Sequence, residues 1–363
     1  MTGPFARASA ALAHAVDPVR RAYRASGADR PFGDPLPAHG VAMEGYFWRF
    51  TDPATGRVVI ALDGINREHH GEGGTWSTLG LAAHPHGFLR TVEHPVGHAD
   101  PDRLGVTSGT AFRGTADTLR VDLGPDARLD VEVRQPVPWP RRSFGGSSVF
   151  QAVPGLNQYW HPWLLGGAAH GRATVGDETW ELDGWSVYTE KNWGKGGFPD
   201  SWWWGQAQGF AEPAACVAFA GGEVYAGPLR TTVTALVVLL PDGRVLRLGD
   251  PLVTPVHAEV GDERWVLRGR SLRWQVDVEG TGDLQHAHVL PVPLPFERRN
   301  VPGAIEHLGA SMTVSVRERG RLVWEGRSEV AALEHGGIDR ARAEVARRGH
   351  GPDAVDAPPR SRS

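Results

Sequence analysis

Thr231-Thr-Val-Thr-Ala-Leu-Val-Val-Leu-Leu240 is followed by Pro241-Asp242-Gly243 and then by Arg244-Val-Leu-Arg-Leu248. An apolar run rich in valine, threonine and leucine, a short turn containing glycine and a second apolar run are the marks of two antiparallel strands joined by a tight turn. The same texture recurs on both sides. Upstream, Met43 to Phe50, Arg57 to Asp63, Gly87 to Glu93, Gly109 to Thr115, Thr118 to Leu123 and Arg128 to Val133 read as strands, separated by turns such as 52–56 and 124–126. Nearer the hairpin and beyond it come Ala168 to Val175, Glu178 to Trp185, a Trp-rich strand pair, Arg264 to Arg268, Leu272 to Glu279, Ser311 to Glu318 and Arg321 to Val330. With 47 Gly and 28 Pro, the chain is too rich in turn residues for a helical bundle. The expectation is an antiparallel all-β protein of barrel or sandwich type.

A chain of 363 residues is long enough for two such units. The Pro-, Arg- and Gly-rich passage 135–148 is the expected boundary. The organisation read from the sequence is a helical and irregular lead over 1–35, a first β-domain over 36–148, a second over 149–335, and a C-terminal helix with a disordered tail over 336–363. The lead helix is expected over 5–26, and the C-terminal helix around Ile338 to Arg348.

The 38 Lys and Arg nearly balance 42 Asp and Glu, a formal net charge of −4, so no global attraction to nucleic acid or anionic lipid is implied. The single Cys216 excludes an intrachain disulfide and suits a reducing compartment. Ala10 to Val16, interrupted by His14, is a weak match to a secretory core, and no run approaches the roughly 20 apolar residues that span a bilayer. A cytoplasmic protein is expected, with peripheral membrane contact left open.

The chemistry is concentrated in residues 181–210, where the pair Glu190-Lys191 sits in a run that holds five of the chain's 14 tryptophans. A carboxyl group among so much aromatic surface is costly to ionise and can hold its proton near neutral pH. Aromatic faces can also shield a carbocation. If Trp185 to Trp193 is extended, Tyr188, Glu190 and Asn192 share one face, while Lys191 and Trp193 share the other. A bond from Tyr188 or Asn192 would orient the Glu190 carboxyl, and burial would lift it from about 4.3 toward neutrality. The competing reading is an ion pair of Glu190 with Lys191 or an arginine that braces the strand.

Two further clusters are candidates. In 156–167, His161 and Trp163 face the same way when extended, and His161 is an acid, a relay or an orienting donor, or else a histidine of a core or turn. In Met43 to Phe50, Glu44, Tyr46 and Trp48 share a face, and Glu44 either serves the pocket or pairs with Arg49 or another basic residue. The pairs at 69–70, 84–86 and 286–288 are histidines without the carboxylate or cysteine companions of a zinc site, so no metal is expected. The glycine-rich 194–197 lacks the context of a phosphate loop and reads as a turn that lets Phe198 and Trp202 fold back. No nucleophile elbow, dinucleotide fingerprint or metalloprotease motif occurs, which removes the usual support for hydrolases and dehydrogenases.

Tyr159-Trp160-His161-Pro162, Tyr188-Thr189-Glu190-Lys191-Asn192-Trp193-Gly194, Phe198-Pro199 and Trp202 to Trp204 together resemble the tocopherol cyclase family, and Glu44-Gly45-Tyr46-Phe47 resembles its early Glu-Gly-Trp-Tyr-Phe element. The resemblance is strong over 150–210 and thin elsewhere. Lys195 is an insertion in the glycine turn, and Trp163 stands where plant-type members tend to have histidine. The family is in turn similar to bacterial carotenoid hydratases, with lipocalin-like paired barrels and a His-x-Trp plus Tyr-x-Asp arrangement tied to alkene protonation. The counterparts here are His161, Trp163, Tyr188 and Glu190, glutamate replacing aspartate.

The resemblance implies two tandem lipocalin-like β-units with a short N-terminal helix, and a cofactor-independent cyclase acting on a prenylated hydroquinone. It assigns catalysis to Glu190, Tyr188, His161 and Asn192, with recharging of the acid as the place for His161, and substrate contact to Trp163, Trp193, Trp160, Trp202, Trp204, Glu44, Tyr46 and Phe198. Water capture of the cation would instead make the protein a carotenoid or isoprenoid hydratase, and a non-catalytic carrier of apolar isoprenoids is the third reading. No cofactor, metal or nucleic-acid partner is expected, and the oligomeric state is open.

Overall fold

The computed structural model describes residues 18, 21–23, 25, 30, 41–67, 74–140, 143–153, 155–226 and 229–355. The fold is all-β and lipocalin-like, built from two curled antiparallel sheets. The first has eleven strands, in spatial order Phe88–His94, Thr75–His84, Arg57–Arg67, Met43–Asp52, Glu178–Gly194, Tyr159–Val175, Ala127–Pro138, Thr118–Asp122, Phe112–Thr115, Gly105–Ser108 and His98–Ala99. The second runs Val245–Leu248, Leu229–Leu239, Cys216–Ala226, Trp202–Ala207, Arg321–Gly336, Arg299–Glu318, Trp274–Thr281, Arg264–Arg270 and Val256–Val260, with His288–Leu294 pairing off this path onto Arg299–Glu318. Among the described N-terminal residues, 18, 21–23 and 25 are helical; the remainder of the expected lead helix, and positions 356–363 of the tail, lie outside the described residues. The C-terminal helix is Ile338–Arg347. No helix among the described residues is long and apolar enough to cross a membrane.

The hairpin at 231–248 forms as expected. Leu240 N–H donates to the Arg244 carbonyl, Gly243 N–H donates to Leu240, and Gly243 adopts φ +83°, a left-handed conformation that glycine takes without steric cost. Six strands had no signal strong enough to read: Thr75–His84, His98–Ala99, Gly105–Ser108, Cys216–Ala226, Val256–Val260 and His288–Leu294. Thr75–His84 is rich in small residues and His288–Leu294 holds two prolines; both are strands because neighbours cover them, a tertiary effect that outweighs local propensity.

The change of sheet falls between 194 and 202, not in the 135–148 passage. Tyr159–Val175 and Glu178–Gly194, expected in the second unit, belong to the first sheet. The reason is a long-range pairing. Glu178–Gly194 takes Met43–Asp52 as its second neighbour, in a register that sets Phe47 opposite Glu190 and Gly45 opposite Asn192. The sequence distance across that pairing exceeds anything a local pattern can report.

Each sheet encloses its own apolar core. Trp48, Phe112, Trp163 and Trp180 lie in the first, and Phe219, Trp265, Leu267 and Met312 in the second. Two further clusters hold the units together: Val58, Ile60 and Ala82 meet Trp202, Leu290, Leu308 and Val330, while Trp160, Leu165 and Tyr188 meet Trp204, Cys216 and Ala332. The outward faces of the two sheets are therefore buried against each other. The period-two alternation of the central strands places apolar side chains on both faces, as strands covered on both sides require.

Candidate active site

Alternation along Glu178–Gly194 divides its chemistry between two environments. Lys191 and Trp193 turn into the first unit, where the buried Lys191 Nζ lies 3.3 Å from Glu44 Oε2 and Arg67 Nη2 lies 2.5 Å from Glu44 Oε1. Glu44 is thus an ion-pair partner inside that unit and is not in the cavity wall. Tyr188, Glu190 and Asn192 turn the other way, toward the second sheet.

There a cavity of about 500 Å³ lies between the two sheets. Phe47, Trp160, Phe198, Trp202 and Trp204 supply aromatic wall, and Glu190, Asn192, Glu306 and Glu334 supply polar groups. Phe150, Val153 and Tyr225 line it and are also exposed, marking its mouth. Such an enclosure suits a largely apolar ligand oriented by a few polar atoms.

Glu190 is buried, and one oxygen takes three donors: Tyr188 Oη at 2.6 Å, Trp160 Nε1 at 2.7 Å and Trp204 Nε1 at 2.8 Å, all on Oε2. No hydrogen bond to Oε1 occurs among the described residues, which leaves Oε1 as the oxygen able to carry and deliver a proton. Burial raises the Glu190 carboxyl to about 7, against the opposing pull of the three donors. Lys191, the cation next in sequence, points to Glu44 on the opposite face. The arrangement is a carboxylic acid held in one rotamer by neutral donors, half-protonated near neutral pH and open to an aromatic chamber.

The remaining predicted residues divide. Trp160, Trp202, Trp204, Tyr46, Phe198 and Asn192 line the cavity, although the Tyr46 hydroxyl turns to Glu44 at 3.3 Å. Trp202 Nε1 donates to Glu334 Oε1. His161 is buried outside the lining, accepts the Gly146 N–H at Nδ1 and meets Trp139 edge-on at 5.4 Å. It faces the Lys191 side of the pairing, as its register with Lys191 requires. Trp163 packs edge-on against Trp48 at 6.3 Å in the first core, and Trp193 stacks on Tyr159 at 5.4 Å. Of the histidine pairs, 69–70 lies outside the described residues, His86 meets Glu178 at 3.2 Å, His286 meets Asp283 at 2.7 Å, and His288 is buried.

Sequence reasoning passed over Glu306 and Glu334, and it offered Arg49 only as a partner for Glu44, whereas Arg49 bonds Thr51, Gln206 and the carbonyls of Leu308 and Val330. A signal existed: Ile305-Glu306-His307 and Leu333-Glu334-His335 are matching charged pairs inside otherwise apolar strands. A carboxylate that alternation sends into a covered sheet face needs a reason to be there.

Gly45 shows how closely the wall is fitted. It stands opposite Asn192, and a Cβ at 45 would lie 2.2 Å from Asn192 Oδ1, an oxygen with no hydrogen-bond partner among the described residues. Gly45→Ala is expected to push Asn192 out of position and lower turnover by roughly 10- to 100-fold with an unchanged circular dichroism spectrum. Steady-state kinetics beside that spectrum would check it, and wild-type rates would show that the fit at Asn192 is unimportant.

Fold and site define a class: a two-unit lipocalin-like β-protein with a buried carboxylic acid in an aromatic cavity between its sheets. Residues 106–337 match the family model described as tocopherol cyclase-like, and the chain belongs to that family. A curated relative from Oryza sativa subsp. japonica, named probable tocopherol cyclase, chloroplastic, is 25% identical over 202 residues. That match covers 51% of this chain and 41% of the rice protein, so the chain spans less than half the length of this relative. Among solved structures, CghA matches with a TM-score of 0.53 at 13% identity, covering 82% of this chain and 89% of that one. CghA with Sch210972 gives 0.52 at 14%, with the same coverage of each chain. At these identities the likeness shows the fold alone.

Proposed function

We propose that the protein is an enzyme that closes a chromanol-type ring on a prenylated hydroquinone by protonating a prenyl double bond. The observation that carries this reading is Glu190: a buried acid with one oxygen pinned by Trp160, Tyr188 and Trp204, beside a cavity whose aromatic wall can face a cation. Family membership supports a hydrophobic prenylated substrate.

In this reading Glu190 gives the Oε1 proton to the less substituted carbon of the double bond nearest the ring. The π pair forms the new C–H bond and leaves a tertiary cation. Trp204, Trp160 and Phe47 face that charge, and water is kept out by the apolar wall. A lone pair of the phenol oxygen then forms the C–O bond, and the phenol proton leaves. The sequence is an isomerisation that moves no electrons between molecules and so calls for no redox cofactor. Tyr188 acts through Glu190 as a positioning residue. His161, with its Nδ1 turned to Gly146, has no part in this scheme. The free, buried Cys216 is in keeping with a cytoplasmic setting.

The test is incubation of the purified protein with a reduced prenyl-benzoquinol in deuterated water, with products analysed by mass. A chromanol carrying one deuterium at the protonated carbon is expected. A tertiary alcohol that incorporates solvent oxygen would make the enzyme a hydratase, and bound, unchanged and unlabelled quinol would make it a carrier.

A further inference from the structure

Ring closure needs a second proton transfer, and the cavity holds carboxyl groups that the acid step leaves unused. Glu306 and Glu334 are cross-strand partners on Arg299–Glu318 and Arg321–Gly336, and both line the cavity with Glu190. Trp204, which holds Glu190 through its indole, is the cross-strand partner of Glu334 on its other side. Asp63, which accepts from Ser108, and Glu223, which pairs with Arg230, also belong to the lining, but Glu190, Glu306 and Glu334 come from three strands to one largely apolar chamber with no cation paired to them at hydrogen-bond distance among the described residues, a placement too costly to expect without a use for it.

The two additional carboxyls are not equivalent. Glu306 is buried, and its Oε1 has no hydrogen-bond partner among the described residues. Glu334 receives the Trp202 indole N–H, a donor that favours the anion. The charged and titratable groups around the pair are Glu190, the Arg49 guanidinium and, opposite Glu306 in register, His288. Burial and the charge of Glu334 push Glu306 well above the usual carboxylate range, while burial brings Glu334 to about 7. Of the two, Glu306 therefore holds its proton more tightly.

We propose that Glu334 is the base of the ring closure, taking the proton from the phenol oxygen as that oxygen bonds to the tertiary carbon, with Glu306 as its protonated partner. The proposal rests on the cyclase reading. Charge balances at each step. In the reactive form the three carboxyls carry one negative charge, on Glu334. Once Glu190 has given up its proton they carry two, facing the cation. When Glu334 takes the phenol proton they again carry one, now on Glu190. As the product leaves, Glu334 releases a proton to solvent and Glu190 takes one up.

The test compares the full-length wild type with Glu334→Gln, Glu334→Asp, Glu306→Gln and Glu190→Gln, each given a reduced prenyl-benzoquinol in deuterated water. Both chromanol and deuterium in the recovered quinol are measured. Glu334→Gln is expected to make chromanol at least about 100-fold more slowly while the recovered quinol gains deuterium, because the cation forms and loses a proton back to Glu190. Glu190→Gln should give neither product nor label. Glu306→Gln, which keeps the partner uncharged, should slow chromanol formation less than Glu334→Gln does, and Glu334→Asp should recover part of the lost rate. Chromanol from Glu334→Gln at the wild-type rate would overturn the proposal, as would loss of label together with chromanol in that variant. If Glu334→Gln does not fold, the order of Glu306→Gln and Glu334→Asp decides, and a slower Glu306→Gln overturns it. Wild-type protein that binds the quinol without product or label defeats the cyclase reading itself, a result distinct from all of these.

Discussion

Glu190→Gln is expected to lower turnover by at least about 10³-fold while leaving the protein folded, because it keeps the size of the side chain and removes the proton to be transferred. The amide of that variant still offers a carbonyl oxygen to Trp160, Trp204 and Tyr188, so the cavity should keep its shape and continue to bind quinol. In the wild type, turnover should fall about tenfold per pH unit above about 7, as the acid form is titrated away. Stability supplies an independent readout with a defined sign. The folded carboxyl sits at about 7 and its ordinary value is 4.5, so between those limits the folded protein holds a proton that the unfolded chain has released. Its contribution is fully present below 4.5 and is lost as pH rises to about 7, a change of about 3 kcal/mol. Glu190→Gln removes this dependence. The variant should gain on the wild type by roughly that amount between pH 4.5 and pH 8, measured by urea unfolding at several pH values. Parallel curves for the two proteins would mean that Glu190 is not a buried, proton-holding carboxyl.

Arg49→Leu is expected to destabilise the protein by about 3–5 kcal/mol. Arg49 is buried on Met43–Asp52 and reaches across to the second sheet: Nη1 donates to Thr51 Oγ1 at 2.7 Å and to Gln206 Oε1 at 2.8 Å, and Nη2 donates to the carbonyls of Leu308 and Val330 at 3.2 and 2.5 Å. Those carbonyls are available because the pairing of Arg299–Glu318 with Arg321–Gly336 shifts register between His307 and Ala310 and again before Met312. A bulge leaves ladder groups unpaired, and buried unpaired carbonyls are costly. The guanidinium supplies the missing donors and ties the two sheets together beside the cavity. Burial lowers its pKa to about 10, still high enough for it to remain charged at neutral pH. Leucine would leave Gln206 and two carbonyls unsatisfied between the sheets. The denaturant midpoint should fall accordingly, and the slope should change if the two units part separately. An unchanged midpoint would show that this cross-sheet anchor carries no stability.

The all-β class was legible because it depends on local signals: apolar alternation, turn residues and the hairpin at 231–248. The orientation of Glu190 was legible for the same reason, since a period of two decides that Tyr188 and Glu190 share a face while Lys191 turns away. Other features depend on partners far along the chain. His161 and Trp163 have residue types suited to the chemistry and lie on the strand next to it, yet one faces Gly146 and Trp139 and the other fills the first core. Glu306 and Glu334 resemble ordinary charged residues of two long strands until their sheet is packed against the other.

By itself, the sequence determined the strand-rich fold, the antiparallel hairpins and a carboxylic acid embedded among tryptophans, because side-chain alternation and turn chemistry act over a few residues. Only the tertiary structure decided that this carboxyl lies between the two sheets rather than inside either one, which tryptophans wall it and which carboxyls accompany it. Those outcomes follow from the pairing of Glu178–Gly194 with Met43–Asp52 and from the burial of one sheet's outer face against the other. Both are contacts between segments distant in sequence, and their energy comes from shared burial that no single segment can achieve alone.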